Sequence, residues 1–211
     1  TSACPSHEFM RHHAMPEFMA TTSRGLIDVL EKEIKDLGLK VTGRETTGIL
    51  FESNWEGCYK ANLYLRTANR VIKPILDFPA YQLEDLYHNT LKHDFTKYID
   101  PSQTLAIDAV LRESKISDQR MLALKIKDAI VDQFREKYGE RPSVDTKKPD
   151  LKIMARLVKN RVSLAIDTSG TALNQRGYRL ERGEAPLREK VAAGLLLMSG
   201  WEPGQALYDP M

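Results

Sequence analysis

The sequence predicts a mixed α/β chain of the α+β kind, and three observations predict it. Residues 19–78 run through strand and helix periods in the order β-α-β-β-α-β. A separate strand then precedes the longest helical stretch, Asp118 to Tyr138, which carries Leu122, Ile126, Ile130 and Phe134 on one stripe. Last, Leu151 to Asp167 alternates apolar and polar residues on either side of Lys159-Asn160, the pattern of a β-hairpin.

Each element has a local reason. Met19 to Ser23 is a short strand, and Arg24 to Leu37 a helix with Ile27, Leu30, Ile34 and Leu37 on one face, closed by Gly38. Val41 to Thr46 and Gly48 to Glu52 are strands meeting at Thr47-Gly48. Trp55 to Arg66 is a second helix, and Val71 to Phe78 a strand that completes a small ferredoxin-like sandwich. Such a unit buries only a modest core and is expected to lean on the second unit of the chain. Trp55, Tyr59, Tyr64 and Phe78 are read as its core. After Pro79 come a helix from Leu83 to Lys92 and a strand from Thr104 to Leu111. The long helix has Asp118 as N-cap and Gly139 as C-cap, and GERPSVDTKKPD reads as a loop. The connector DTSGTALNQRGYRLERGEAP leads to a helix, Leu187 to Met198, opened by Pro186 and ended by Ser199-Gly200.

Composition excludes several classes. With 42% hydrophobic and 28% charged residues the chain is an ordinary globular protein, and no apolar run approaches the roughly 20 residues of a membrane span. TSACPSHEFMRHHAMPEF, residues 1–18, has no apolar periodicity and is read as a non-native linker, with Met19 rather than Met15 as the native start. That sets aside Cys4, His12 and His13. Cys58 remains, read as a small helix hydrophobe; a disulfide framework is excluded, and a reducing cytoplasm is the expected compartment. His7, His88 and His93 have no metal-ligand spacing. Charge is uneven: residues 19–111 hold 11 Lys/Arg against 13 Asp/Glu, whereas residues 112–161 hold 14 against 8. A basic second half suits a polyanionic partner; the alternative is a solvated surface rich in lysine.

Four stretches carry a resemblance. KDAIVDQF (127–134), RPSVDTKKPDLKI (141–153), AIDTSGTALNQRGYR (165–179) and APLREKVAAGLLLMSGW (185–201), with DPM after them, resemble the N-terminal part of bacterial THUMP-type 23S rRNA guanine-N2 methyltransferases. Some members of that family carry the name N6-adenine-specific DNA methylase. The likeness covers essentially all of residues 19–211. It implies a ferredoxin-like domain over 19–79, a THUMP domain over 80–169, and over 170–211 a connector helix with the start of a Rossmann-like methyltransferase domain. ALYDPM then resembles the first strand of that domain, ahead of a glycine-rich loop for S-adenosylmethionine. Asp209 and Pro210 match the start of the cofactor motif, with Pro186 and Lys190 as weaker candidates. The resemblance implies no catalytic residue and no activity within these residues, and a missing methyltransferase domain as one partner. One departure is Asn174-Gln175, where the family commonly shows a His before Arg-Gly-Tyr-Arg.

The other implied partner is structured RNA, foremost 23S rRNA. Phosphates call for Lys and Arg on a continuous face. One predicted cluster is Arg112, Lys115, Arg120 and Lys127, from a strand end, a loop and the edge of the long helix. A second is Lys147, Lys148, Lys152, Arg156, Lys159 and Arg161, from loop and hairpin. Arg135 and Lys137, beside Asp132 and Glu136, read as a solvated helix face. Arg176 and Arg179, with Arg182, either meet RNA or pair with Glu181 and Glu184 to brace the connector. Two other readings stand beside this one. One is a structural unit docking another domain, and the other a THUMP module of a tRNA-modifying enzyme such as a thiouridine synthetase, against which DPM and Arg-Gly-Tyr-Arg argue.

Overall fold

The computed structural model of the chain describes residues 15–177 and 187–208. Its first half takes the expected order: Glu17–Thr21 (β1), Ile27–Asp36 (α1), Lys40–Glu45 (β2), Gly48–Glu52 (β3), Trp55–Tyr64 (α2) and Arg70–Pro79 (β4). A 3-10 turn over Arg24–Leu26 precedes α1, where sequence periodicity runs straight into the helix. Strand β1 pairs antiparallel with both β3 and β4, and β3 with β2, the strand arrangement of a ferredoxin-like sandwich. Phe18, Leu30, Ile34, Ile49, Phe51 and Val71 lie at the centre of its core.

The second half comprises Leu83–Thr90 (α3), Thr104–Arg112 (β5), Gln119–Tyr138 (α4), Ser143–Val144 (β6), Leu151–Val158 (β7) and Arg161–Asp167 (β8), and then Glu189–Ser199 (α5). Both expected caps of α4 form. The Asp118 carboxylate accepts the Arg120 and Met121 N–H groups, and Gly139 takes the left-handed φ of 73° that a C-cap favours. The hairpin β7–β8 pairs as its alternation predicts, and β5 joins β7 in parallel. The two-residue β6 falls in the segment that reads as a loop, because it is too short to show a period.

The two halves share one eight-stranded sheet, ordered β2-β3-β1-β4-β8-β7-β5-β6. Strand β4 is the splice: its start pairs with β1 and its remainder with β8, across a bulge between Pro74 and Leu76. The expected leaning of the small first unit is therefore a continuous hydrogen-bonded ladder. Val71 belongs to the first core. Lys73, on the same face, pairs with Ile166 of the second core, so both cores and their helices lie on one side of the sheet.

The boundary expected at Met19 falls inside the fold: Glu17 and Phe18 begin β1, and Phe18 is buried in the first core, so the linker reading of residues 1–18 fails for these two. Two further expectations fail here. Trp55, Tyr59 and Tyr64 are 42%, 62% and 63% exposed, so they are not core, whereas Phe78 is buried, in the second core rather than the first. The reason is size. Helix α2 buries Gly57, Cys58 and Ala61, and a Cβ on Gly57 would collide with the Ser53 hydroxyl, so close approach to the sheet needs the small face inward. The second failure is the terminal strand. Ala206 to Tyr208 form none, and Leu207 and Tyr208 are largely exposed with no strand beside them.

Candidate nucleic-acid interface

One side-chain amide organises the basic end of the sheet. Lys159 and Asn160 form the hairpin turn with φ of 50° and 61°, the left-handed pair that a two-residue loop between twisted strands requires. From there the Asn160 side-chain oxygen accepts the Lys115 N–H at 2.7 Å and the Ser114 hydroxyl at 3.1 Å. Its backbone oxygen accepts the Ala80 N–H at 2.8 Å, and the Lys159 N–H reaches the Arg112 carbonyl at 3.3 Å. The strand end, the loop before α4 and the hairpin turn are thus tied at one point.

Around that point five exposed cations gather: Arg112, Lys115, Arg156, Lys159 and Arg161; Arg120, also exposed, stands apart in the first turn of α4. Arg112 and Arg161 flank Val158 in one cross-strand row, and Arg156 stands one pleat further in, opposite Ser163. Lys115 lies over the Tyr81 ring at 5.3 Å. Arg161 pairs with Asp77, which also accepts the Ser163 hydroxyl at 2.9 Å, so part of its charge is neutralised locally.

The remaining predicted residues are placed elsewhere. Lys152 is ion-paired to Asp108 at 3.2 Å and lies 3.9 Å from the buried Asp167, which also holds Arg70; this lysine stitches β5, β7 and β8. Lys147 and Lys148 stand at the far end of β7, where their N–H groups cap the Asp145 carboxylate. Lys127 faces a separate groove of about 900 Å³ between α3, α4 and β6, together with Lys125, Arg135 and Arg141. Lys125 and Arg141 escape sequence reasoning, because only the fold brings them beside Lys127. Arg176 reaches neither site. Its guanidinium donates to the carbonyls of Leu63 at 2.7 Å, Leu65 at 2.8 Å and Asn62 at 3.1 Å, closing the C-terminal end of α2. Arg179 lies outside the described residues, as do Arg182, Glu181, Glu184 and Pro186.

The cofactor candidates fare differently. Asp209 and Pro210 lie outside the described residues. Lys190 is only 3% exposed, and its ammonium donates to Ser23 Oγ at 2.7 Å and Asn69 Oδ1 at 2.6 Å, pinning α5 to the start of α1. Burial, then the Arg188 charge, pushes its pKa below the ordinary lysine range. Lys190 is thus engaged in holding α5 in place. Burial likewise raises the Cys58 thiol pKa, in keeping with a packing residue.

Three family models match segments of the chain. Residues 17–72 match the RlmL ferredoxin-like domain, residues 80–167 the THUMP domain, and residues 176–211 the RMKL-like methyltransferase domain. The chain is a THUMP-domain protein. This THUMP-domain chain is 41% identical over 199 residues to the ribosomal RNA large subunit methyltransferase K/L of Pseudomonas syringae pv. tomato, covering 92% of the chain and 26% of that protein. Among solved structures it resembles a predicted N6-adenine-specific DNA methylase from Listeria monocytogenes, with a TM-score of 0.80 and 31% identity over 92% of the chain and 51% of that protein. It also resembles SMU.472 in complex with SAH, with a TM-score of 0.81 and 30% identity over 91% of the chain and 51% of that protein. The THUMP-domain chain thus spans between a quarter and about half of the relatives it matches.

Proposed function

We propose that the chain binds structured RNA, foremost 23S rRNA, and presents it for S-adenosylmethionine-dependent methylation of a guanine N2 amine by the whole protein. The observation that carries this reading is the set of five exposed cations gathered around Asn160. Phosphates of an A-form helix are met by Lys and Arg held on a rigid frame, and three of these five sit on paired strands. The large-subunit rRNA methyltransferase among its relatives, and the SAH in a structural neighbour, support the substrate class and the cofactor. The guanine assignment rests on the resemblance of the quoted motifs. In this reading the ferredoxin-like unit spans 19–79, the THUMP unit 80–169 and the connector 170–211, with β4 serving both units. No described helix is long and apolar enough to cross a membrane, and the proposed action takes place in the cytoplasm.

A second reading concerns docking. Helix α5 buries Lys190 and Gly194 against the start of α1, yet Leu195 and Met198 are exposed, as is Leu187 just before it. A helix apolar on its outer side as well as its inner one suits a protein neighbour. We assign that side to the catalytic domain of the whole protein.

The test is fluorescence anisotropy of an rRNA hairpin and an unrelated duplex with the chain, across a salt series. Tighter binding of the hairpin supports presentation of rRNA. No detectable binding of either RNA at low salt contradicts it.

A further inference from the structure

Helix α2 turns its large side chains outward. Tyr59 and Leu63 are each more than 60% exposed on the side opposite Gly57, Cys58 and Ala61, with Trp55 at its first turn. The Trp55 and Tyr59 rings have centroids 6.4 Å apart and are inclined by 31°. At that distance the two rings form a contacting aromatic pair, and both are exposed. The indole is held from behind by an edge contact with Phe18, at 5.4 Å between centroids.

A cation stands beside the rings. Lys73 rises from β4 with its ammonium 5.0 Å from the Trp55 ring centroid and 5.6 Å from that of Tyr98. Among the described residues Lys73 forms no ion pair, whereas Lys60 on α2 is paired with Glu56. Its free positive charge is thus kept at the edge of an aromatic platform. A protein helix would be met by the apolar residues alone. An exposed aromatic pair with an unpaired ammonium beside its Trp55 ring matches a base and its phosphate better.

We propose that Trp55 and Tyr59 stack an unpaired RNA base whose phosphate meets Lys73. The site rests on the RNA-binding reading above and deepens it: paired RNA is held at the Asn160 end, and an unpaired segment is held on α2.

The test uses the full chain carrying Trp201→Phe, which leaves Trp55 as the remaining one of the two tryptophans. Three probes are compared: a blunt RNA hairpin, the same hairpin with a single-stranded tail, and the tail alone. The tail is expected to quench Trp55 emission, free or attached, and to raise hairpin affinity about five- to 150-fold. Tyr59→Ser and, separately, Lys73→Gln should remove most of that gain and leave blunt-hairpin affinity unchanged. Both residues lie outside the buried core, so two independent variants guard against loss of fold. An unchanged tail preference in both variants, with Trp55 emission unmoved, overturns the site and leaves the stripe to a protein partner. If the tail alone quenches Trp55 while the hairpins go unbound, the base site stands and the presentation reading fails. If no probe binds, both fail.

Discussion

Asn160 holds Lys115: its side-chain oxygen accepts the Lys115 N–H at 2.7 Å across 45 residues of sequence. That bond places the loop before α4 against the hairpin turn. Asn160→Gly keeps the left-handed turn accessible but removes both side-chain bonds. We expect a loss of about 1–2 kcal/mol, read as a lower urea midpoint at constant m-value, and faster hydrogen exchange at the Lys115 amide. Unchanged exchange would show that Asn160 does not organise the loop.

Asp167 is the buried anchor of the β4–β8–β7 seam. Its side chain is fully buried and pairs with Arg70, with Lys152 close by. Asp167→Ala leaves two cations without their shared partner, and a destabilisation of about 3 kcal/mol is expected from chemical denaturation. Lys152→Met should cost less, because Arg70 still satisfies Asp167. It should also leave RNA affinity nearly unchanged, since that charge is already occupied.

Arg176 caps α2 rather than facing a ligand. Arg176→Ala should destabilise the fold by about 1–2 kcal/mol in thermal melts, and Arg176→Lys should not restore it, because an ammonium cannot span three carbonyls as the planar guanidinium does. Blunt-hairpin affinity of the folded variant should match that of the parent chain.

Lys190 gives a pH dependence with a definite sign. Burial lowers its pKa in the folded chain, so between that value and the ordinary lysine range the unfolded chain binds more protons. Stability from this site therefore rises as pH increases through the window, and the penalty is fully present below the folded pKa. Lys190→Met should flatten the alkaline part of the stability–pH curve. A curve identical to the parent's would show that Lys190 is not desolvated in solution.

Sequence periodicity captures what is local. The α4 caps Asp118 and Gly139, the Lys159-Asn160 turn and the alternation of β7 are each encoded by neighbouring residues, and each forms as read. Partner choice is not local. Nothing in Leu76 or Phe78 announces Leu164 and Val162 across the seam, so one sheet reads as two units. Helix α2 misleads for a different reason: Trp55, Tyr59 and Leu63 have core spacing, but close packing on the sheet needs Gly57, Cys58 and Ala61 inside. In the candidate interface, the positive residues are legible as residue types. Their ion pairs are not, because Lys152 meets Asp108 only through the β5–β7 register.

The most direct test of RNA binding at the Asn160 end is the salt dependence of hairpin affinity, in the chain and in a variant with Arg112, Lys115 and Lys159 changed to Glu. A steep fall of log affinity with log salt is predicted for the parent chain. In the variant the slope should flatten by about 0.7–0.9 for each phosphate no longer neutralised. An equal slope in both, with binding intact, would contradict the assignment of the Asn160 end as the RNA interface.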